Sequence, residues 1–418
     1  MNVRRSAAVL AAVAVIGAAT PAAAAPSPSP SQAFPSALYG DSDPKYDGVW
    51  RQSLALLAQD TVGVEPAAKS VQWLARQQCA DGSFASYRPD PTTACDARTM
   101  RDTNATSAAV QALTALGGHD DVTGKAVGWL KSVQNKDGGW GYSAGGPSDT
   151  NSTSVVIGAL AAAGEKPGRV EKDGKSPYDA LLKLALPCGG DDGGAFAFQP
   201  DKKGELAANA DATAAGVLGA LGQGMVVKPG EKSGETAGEK SDEKSGAGCA
   251  KAGTPEQAAA NGAAYLTTAL AEDDGHLMSA LAGAEPQPDH SNTADAVVAL
   301  AALGETAQAG KSVRWLEKNS ASWAARSGPA AYAQLILAAH ATGTDPRDFG
   351  GADLVKQLGA TGPAPQTAEK SAEKRNASDE KEESGSDFFG VWWYVGVCLV
   401  AGIGIGFLFT GRKKQQQL

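Results

Sequence analysis

Methionine and histidine are scarce, four of each in a chain of 418 residues; aromatic residues make up only 6%, and cysteine occurs five times. So few aromatics beside 51 Gly and long Ala-rich stretches argue against a β-sandwich and suit helices packed closely through small side chains. Surplus positive charge is missing as well. Lys and Arg number 37 against 46 Asp and Glu, a formal charge of -9, and five of the bases sit at the ends (Arg4, Arg5, Arg412, Lys413, Lys414), so the part between carries about -14. No nucleic-acid partner is expected. No Cys has a His or a second Cys at zinc spacing, and neither a metal nor another cofactor is expected.

The two ends read as addresses. Residues 1–25 have the form of a secretory signal: Arg4 and Arg5, an apolar run from Ala7 to Ala19, and an A-x-A site ending near Ala25. Ser6, Ala7 and Ala8 lack the bulk of a twin-arginine signal, which favours the general secretory route. A Ser/Pro linker covers 26–38. Near the other end, residues 388–410 carry no charge, and 23 residues at a 1.5 Å rise give roughly 34 Å, enough to cross a bilayer. This segment is expected to be a transmembrane helix, with Trp392, Trp393 and Tyr394 at the interface and a basic cytoplasmic tail, 411–418. The bulk of the chain would then face outward, with the membrane as one partner and the oligomeric state unassigned.

Cys398 lies in that span and leaves four cysteines, Cys79, Cys95, Cys188 and Cys249, for an oxidising compartment. Three connectivities are open. Cys79 and Cys95 bracket one loop and are favoured as a pair, which leaves Cys188 with Cys249.

Between the ends the chain repeats. Segments of sixteen residues align without a gap from Asp102 to Gly117, Asp149 to Gly164, Asn209 to Gly224, Asp289 to Gly304 and, in degraded form, Gly328 to Gly343. Asp or Asn opens four of them as an N-cap, a Ser/Thr-rich turn follows, and Gly closes each, so these are helices. Their bodies are apolar or small nearly all round, as in VVIGALAAA, which marks helices buried on every side. Before each comes a more amphipathic helix, with Trp73, Trp129, Leu181, Tyr265 and Trp315 in equivalent places and a Gly-rich loop behind. Alternating buried and polar-faced helices close naturally into a barrel of inner helices surrounded by outer ones; an open solenoid is the alternative. Tyr39 to Gly63 can supply a further inner helix and Ala352 to Leu358 a last outer one. The barrel domain is placed at 39–360, interrupted at 226–251 by a Lys/Glu/Ser/Gly insert expected to be disordered, and followed by a charged stalk, 361–387.

Gln134-Asn-Lys-Asp-Gly138-Gly-Trp140 resembles the Q-x-G-x-W element of the prenyltransferase/squalene oxidase (terpene cyclase) superfamily, and Gln77 to Phe84 is a fainter copy. The resemblance implies an all-α fold, an (α/α) toroid of five or six helix pairs. It makes Gln77, Gly82, Phe84, Gln134, Gly138 and Trp140 structural ties between outer helices. The chemistry of the superfamily does not follow. The D-x-D-D acid motif, D-D-x-x-D, the zinc-binding Asp/Cys/His set and G-C-G-E-Q are all absent from the sequence. No catalytic residue is assigned.

Alternation puts all inner-helix N-termini at one mouth. Asp102, Asp149, Asn209 and Asp289, with Trp140 and Tyr142 on adjoining loops and His276 and His290 in the most ionisable repeat, are the candidate ligand-binding residues; plain helix capping is the competing role for the ring. Asn104 and Asn151 match N-x-S/T but fall in the first turn of a helix, and these matches read as chance. The leading expectation is a cell-surface, membrane-anchored toroid that binds a small ligand or surface protein at its mouth without catalysis. The alternative is a terpene cyclase or prenyltransferase-like enzyme acting on an isoprenoid through a non-standard active site, with Asp149 or Asp289 as its acid.

Overall fold

A computed structural model describes residues 35–230, 249–279 and 285–366. The signal at 1–25, the span at 388–410 and its tail lie outside the described residues, as do most of the insert and most of the stalk. Among the described residues no helix is long and apolar enough to cross a membrane.

Thirteen α-helices make up nearly all the regular structure among the described residues. The chain runs α1 (Gly48–Thr61), α2 (Ala68–Arg76), α3 (Thr103–Leu116), α4 (Asp120–Ser132), α5 (Thr150–Ala162), α6 (Pro177–Leu184) and α7 (Ala210–Ala220). It continues through α8 (Pro255–Glu272), α9 (His290–Leu303), α10 (Thr306–Asn319), α11 (Ala321–Ser327), α12 (Pro329–Thr342) and α13 (Leu354–Ala360). Helix α1 packs on α3, α3 on α5, α5 on α7, α7 on α9, α9 on α12 and α12 back on α1. That cycle closes a barrel of six inner helices, so the open solenoid is excluded. Helices α2, α4, α6, α8, α10 and α13 form the outer layer.

Local sequence explains why the inner helices start where they do. Asp102, Asp149, Asn209 and Asp289 each accept a hydrogen bond from the backbone N–H three residues on, at 2.8, 2.6, 2.7 and 3.0 Å. Such a cap contributes about 1 kcal/mol. The Thr four residues after each cap works backwards instead. Thr106, Thr153, Thr213 and Thr293 accept the backbone N–H of Phe84, Trp140, Phe196 and Leu277, which fixes each Gly-rich loop to the helix it precedes. The inner bodies are buried nearly all round, as their composition requires, and Trp73, Trp129 and Leu181 on the outer helices are buried against them. Tyr265 and Trp315 pack there in part.

The all-α reading holds, with one short hairpin among the described residues, in which β1 (Leu277–Ser279) and β2 (Gln287–Asp289) pair antiparallel and Leu277 stands opposite Asp289. Two stretches differ from the sequence expectation. The domain is wider than 39–360. Leu38 is buried, Ala37 O accepts from Gln52 and Ser70, Gly40 N–H donates to Thr361 O, and Gln366 bonds to Glu65 and Pro66, so the two edges of the domain stitch the last pair closed. Finally, the insert is anchored where it begins, because Val227 is buried and Met225 N–H donates to Gln111 Oε1 at 2.9 Å. An apolar pair at its head, Val226 and Val227, escapes the Lys/Glu/Ser/Gly composition that governs the rest. Both disulfides form, Cys79 with Cys95 and Cys188 with Cys249.

Candidate functional site

Asp102, Asp149, Asn209 and Asp289 are occupied as caps. Asp102 also accepts from Ser86 Oγ, Asp149 from Ser152 Oγ, and Asp289 from Asn292 Nδ2. Trp140 is 1% exposed and donates its indole N–H to Leu130 O at 2.8 Å, so it is a core residue and not a ligand contact. Tyr142 is partly exposed, its hydroxyl 3.3 Å from Ser86. His276 lies flat on Trp315, centroids 4.1 Å apart, and His290 packs between Trp315 and Trp323. These two imidazoles form an aromatic stack at the foot of the hairpin. Among the described residues no three His, Cys, Asp or Glu gather in a way that would hold a metal ion.

At the repeat motif the hydrogen bonds fall one residue off the expected register in the first copy. Gln134 Nε2 donates to Gly138 O and Val170 O, and its counterpart is Gln78, which donates to Gly82 O and Val122 O. Gln77 is buried but serves a different purpose, pairing with the backbone of Arg88. The glycine is required for two reasons at Gly138: φ is +93°, and a Cβ there would stand 2.1 Å from Ser176 O on the next outer helix.

None of the eight candidate residues lines the cavity that the barrel encloses, a space of about 250 Å³. Its wall is built from positions two, six and nine residues after each cap, which share one face of an inner helix. At the first level stand Asn104, Asn151 and Asp211; at the second, Val155, Ala215, Asp295 and Gln334; at the third, Gln111, Gly158, Leu218, Val298 and Leu337. Trp50 and Leu54 complete the wall from α1. The segment leaving α7 crosses the barrel here. Gln223, Gly224 and Met225 line the cavity, a Cβ on Gly158 would meet Gly224 Cα at 2.8 Å, and Pro229 lies beside Gly343 at the end of α12. This strap is the floor.

Two acids face the cavity, on neighbouring helices α7 and α9. Asp211 Oδ2 accepts from Asn151 Nδ2 at 2.7 Å. Asp295 accepts at both oxygens from Gln334 Nε2, 3.2 Å each, and Gln334 Oε1 in turn accepts from Ser291 Oγ at 3.1 Å. Burial and the nearby charge of Asp211 push the Asp295 carboxyl up to about 7, against the lowering effect of Gln334. Burial also raises Asp211, and its bond from Asn151 opposes that. As a coupled pair they hold a proton near neutrality. Asn104 Oδ1, Asn151 Oδ1 and Ser154 Oγ, all on lining residues, are buried without a hydrogen-bond partner in the protein.

Sequence reasoning missed Asp211 and Asp295, along with Gln334. The signal was present in the sixteen-residue alignment: polar side chains at positions two and six of otherwise apolar bodies have no reason to be there unless they share a lumen. Asn104 and Asn151, read as chance N-x-S/T matches, occupy that same row.

The fold and cavity define a closed toroid of six helix pairs with an acidic lumen. Residues 50–202 match the family model described as the prenyltransferase alpha-alpha toroid domain. A curated relative, drimenyl diphosphate synthase from Streptomyces showdoensis, is 30% identical over 156 residues, 35% of this chain. The match spans only 26% of that relative's length. Among solved structures, a protein from Actinoplanes is 17% identical with a TM-score of 0.44, covering 73% of this chain and 79% of its own. A glycosidase is 14% identical with a TM-score of 0.39, covering 71% and 86%.

Proposed function

We propose that the barrel cavity is an active site in which Asp295 acts as a general acid on an isoprenoid, a terpene cyclase-like isomerisation run by a non-standard acid pair. The observation that carries the reading is the Asp295 carboxyl, kept protonated to about pH 7 within a largely apolar cavity beside a second carboxylate. The toroid family match and the 30% identity to a diphosphate synthase of terpene type support it over a toroid that only binds a ligand.

Protonating an alkene requires a neutral acid shielded from water. The Asp295 proton passes to one carbon of a C=C bond, whose π pair forms the new C–H bond. A tertiary carbocation remains, and the Gln334 amide stabilises the carboxylate left on Asp295. Trp50 and the two acids face that cation, which further double bonds of the chain can quench. Loss of a proton to Asp211 or Asp295 ends the reaction with no net change in composition. Asp149 and Asp289 do not serve as the acid, since their oxygens are committed to their own helices. On the sequence expectation of a span at 388–410, the site works outside the membrane to which the chain is anchored.

Incubation of the purified chain in D2O with C10 to C20 isoprenoids, followed by mass spectrometry, tests the reading. One solvent deuterium is expected in an isomerised product, and none with Asp295→Asn. Absence of deuterium uptake across the whole panel would sink it.

A further inference from the structure

We infer that the molecule held in the cavity carries an uncharged hydroxyl or a protonated amine as its polar head, and not a diphosphate. The inference rests on the proposed reading for its apolar tail, and on the charges around the cavity for its head.

Phosphate groups are held in proteins by Arg or Lys, or by free N–H groups at helix N-termini. No described Arg or Lys lines the cavity, and most of the N-termini at its mouth are already capped. Among the described residues that line the cavity there are two acids, Asp211 and Asp295, and no Lys, Arg or His. Four of the six inner-helix N-termini, those of α3, α5, α7 and α9, are capped by their own side chains, and three of those caps, Asp102, Asp149 and Asp289, are acidic; α1 and α12 have no side-chain cap. A diphosphate would have to pass an acidic rim and then sit near Asp211 in a medium of low dielectric, where like charges repel strongly. The donors offered along the wall are all uncharged: side-chain amides, the Ser154 hydroxyl, the Trp50 indole and the Asp295 carboxyl while it is protonated. The fixed acceptors are more numerous: Asp211, Asp295 when ionised, and the amide oxygens of Asn104 and Asn151, which find no partner in the protein. A group that donates hydrogen bonds satisfies such a wall, and a positively charged one does so best. At about 250 Å³ the space lies just below the ~300–1,000 Å³ usual for ligand pockets, so it holds a short apolar chain. The relative is named for a diphosphate product, and on this point the present chain parts from it.

The test uses one ten-carbon chain with three heads: geraniol, geranylamine and geranyl diphosphate, each titrated against the purified chain by calorimetry at pH 6 and pH 8. The alcohol and the amine are expected to bind, the diphosphate at least tenfold more weakly, and the amine to gain on the alcohol at pH 8, where Asp295 is ionised. Asp211→Asn should weaken the amine about tenfold and the alcohol by less, because only the amine also loses a charge partner. A diphosphate that binds as tightly as the alcohol overturns the inference, and this comparison needs no variant. If the diphosphate binds best and is turned over, the acid chemistry survives and the head-group inference falls. If the alcohol binds without deuterium uptake, the reverse holds. Failure of all three probes to bind overturns both.

Discussion

Gln334 places its amide nitrogen 3.2 Å from both oxygens of Asp295, and Ser291 holds the amide in that orientation from one turn above. The donor favours the ionised carboxyl and so restrains the upward push of burial. Gln334→Leu removes it. The Asp295 titration, followed by the carboxyl C=O stretch in infrared difference spectra, is expected to move up by about one pH unit. No movement would mean that the hydrogen bond has no hold on the acid.

Asp295 also makes stability depend on pH. Its folded pKa of about 7 lies above the unfolded carboxylate value, so between those two values the folded state binds the extra proton. Stability contributed by the neutral acid is therefore complete below about pH 4 and is lost as pH rises to about 7, at about 1.4 kcal/mol per unit. Asp295→Asn abolishes that loss. Melting curves of the two proteins should cross, with the variant gaining on the native chain from pH 5 to pH 8. Parallel curves would show that Asp295 is ionised throughout.

Gly158 and Gly224 meet where the strap enters the barrel. A Cβ at Gly158 would press on Gly224 Cα and Gln223 O, both backbone, so neither neighbour can rotate aside. Gly158→Val is expected to cost about 1–3 kcal/mol and to displace the strap. Limited thermolysin digestion should then cut faster before Val226 and Val227, and ligand affinity should fall with it. An unchanged digestion rate would place the strap elsewhere.

The loop glycine of the repeat can be tested in isolation from the cavity. Gly138→Ala combines a positive φ with a 2.1 Å approach to Ser176 O, and should lower stability by more than about 2 kcal/mol. Gly145, with φ of +77° and open space around it, provides the control, since Gly145→Ala meets strain alone. Chemical denaturation of both variants separates the two causes. Equal losses would remove the close approach from the account.

The helices, their caps and the barrel were legible because each is written locally. The cap, the closing glycine and the apolar body recur at fixed spacing, and a chain that alternates buried with half-buried helices must hide the first inside the second. The stretches at 36–38 and 361–366, which read from composition as linker and stalk, pack against the barrel. Their contacts are made with remote parts of the chain, Ala37 O with Ser70 and Gln366 with Pro66, while Tyr39 Oη beside them reaches Pro363 O over 300 residues away. The His276–Trp315–His290 stack and the strap have the same origin in contacts between separate repeats.

By itself the sequence determined that inner helices exist, where they begin and end, and which disulfides are within reach. It singled out Asp102, Asp149 and Asp289 because an N-cap is a local role. Only the closed ring decided that Asp211 and Asp295 share a space, with Gln334 turned toward one of them and Asn151 toward the other. Facing a common lumen depends on the rotation of each helix against its neighbours, and a carboxyl that stays protonated near pH 7 needs both that shared enclosure and the second charge across it.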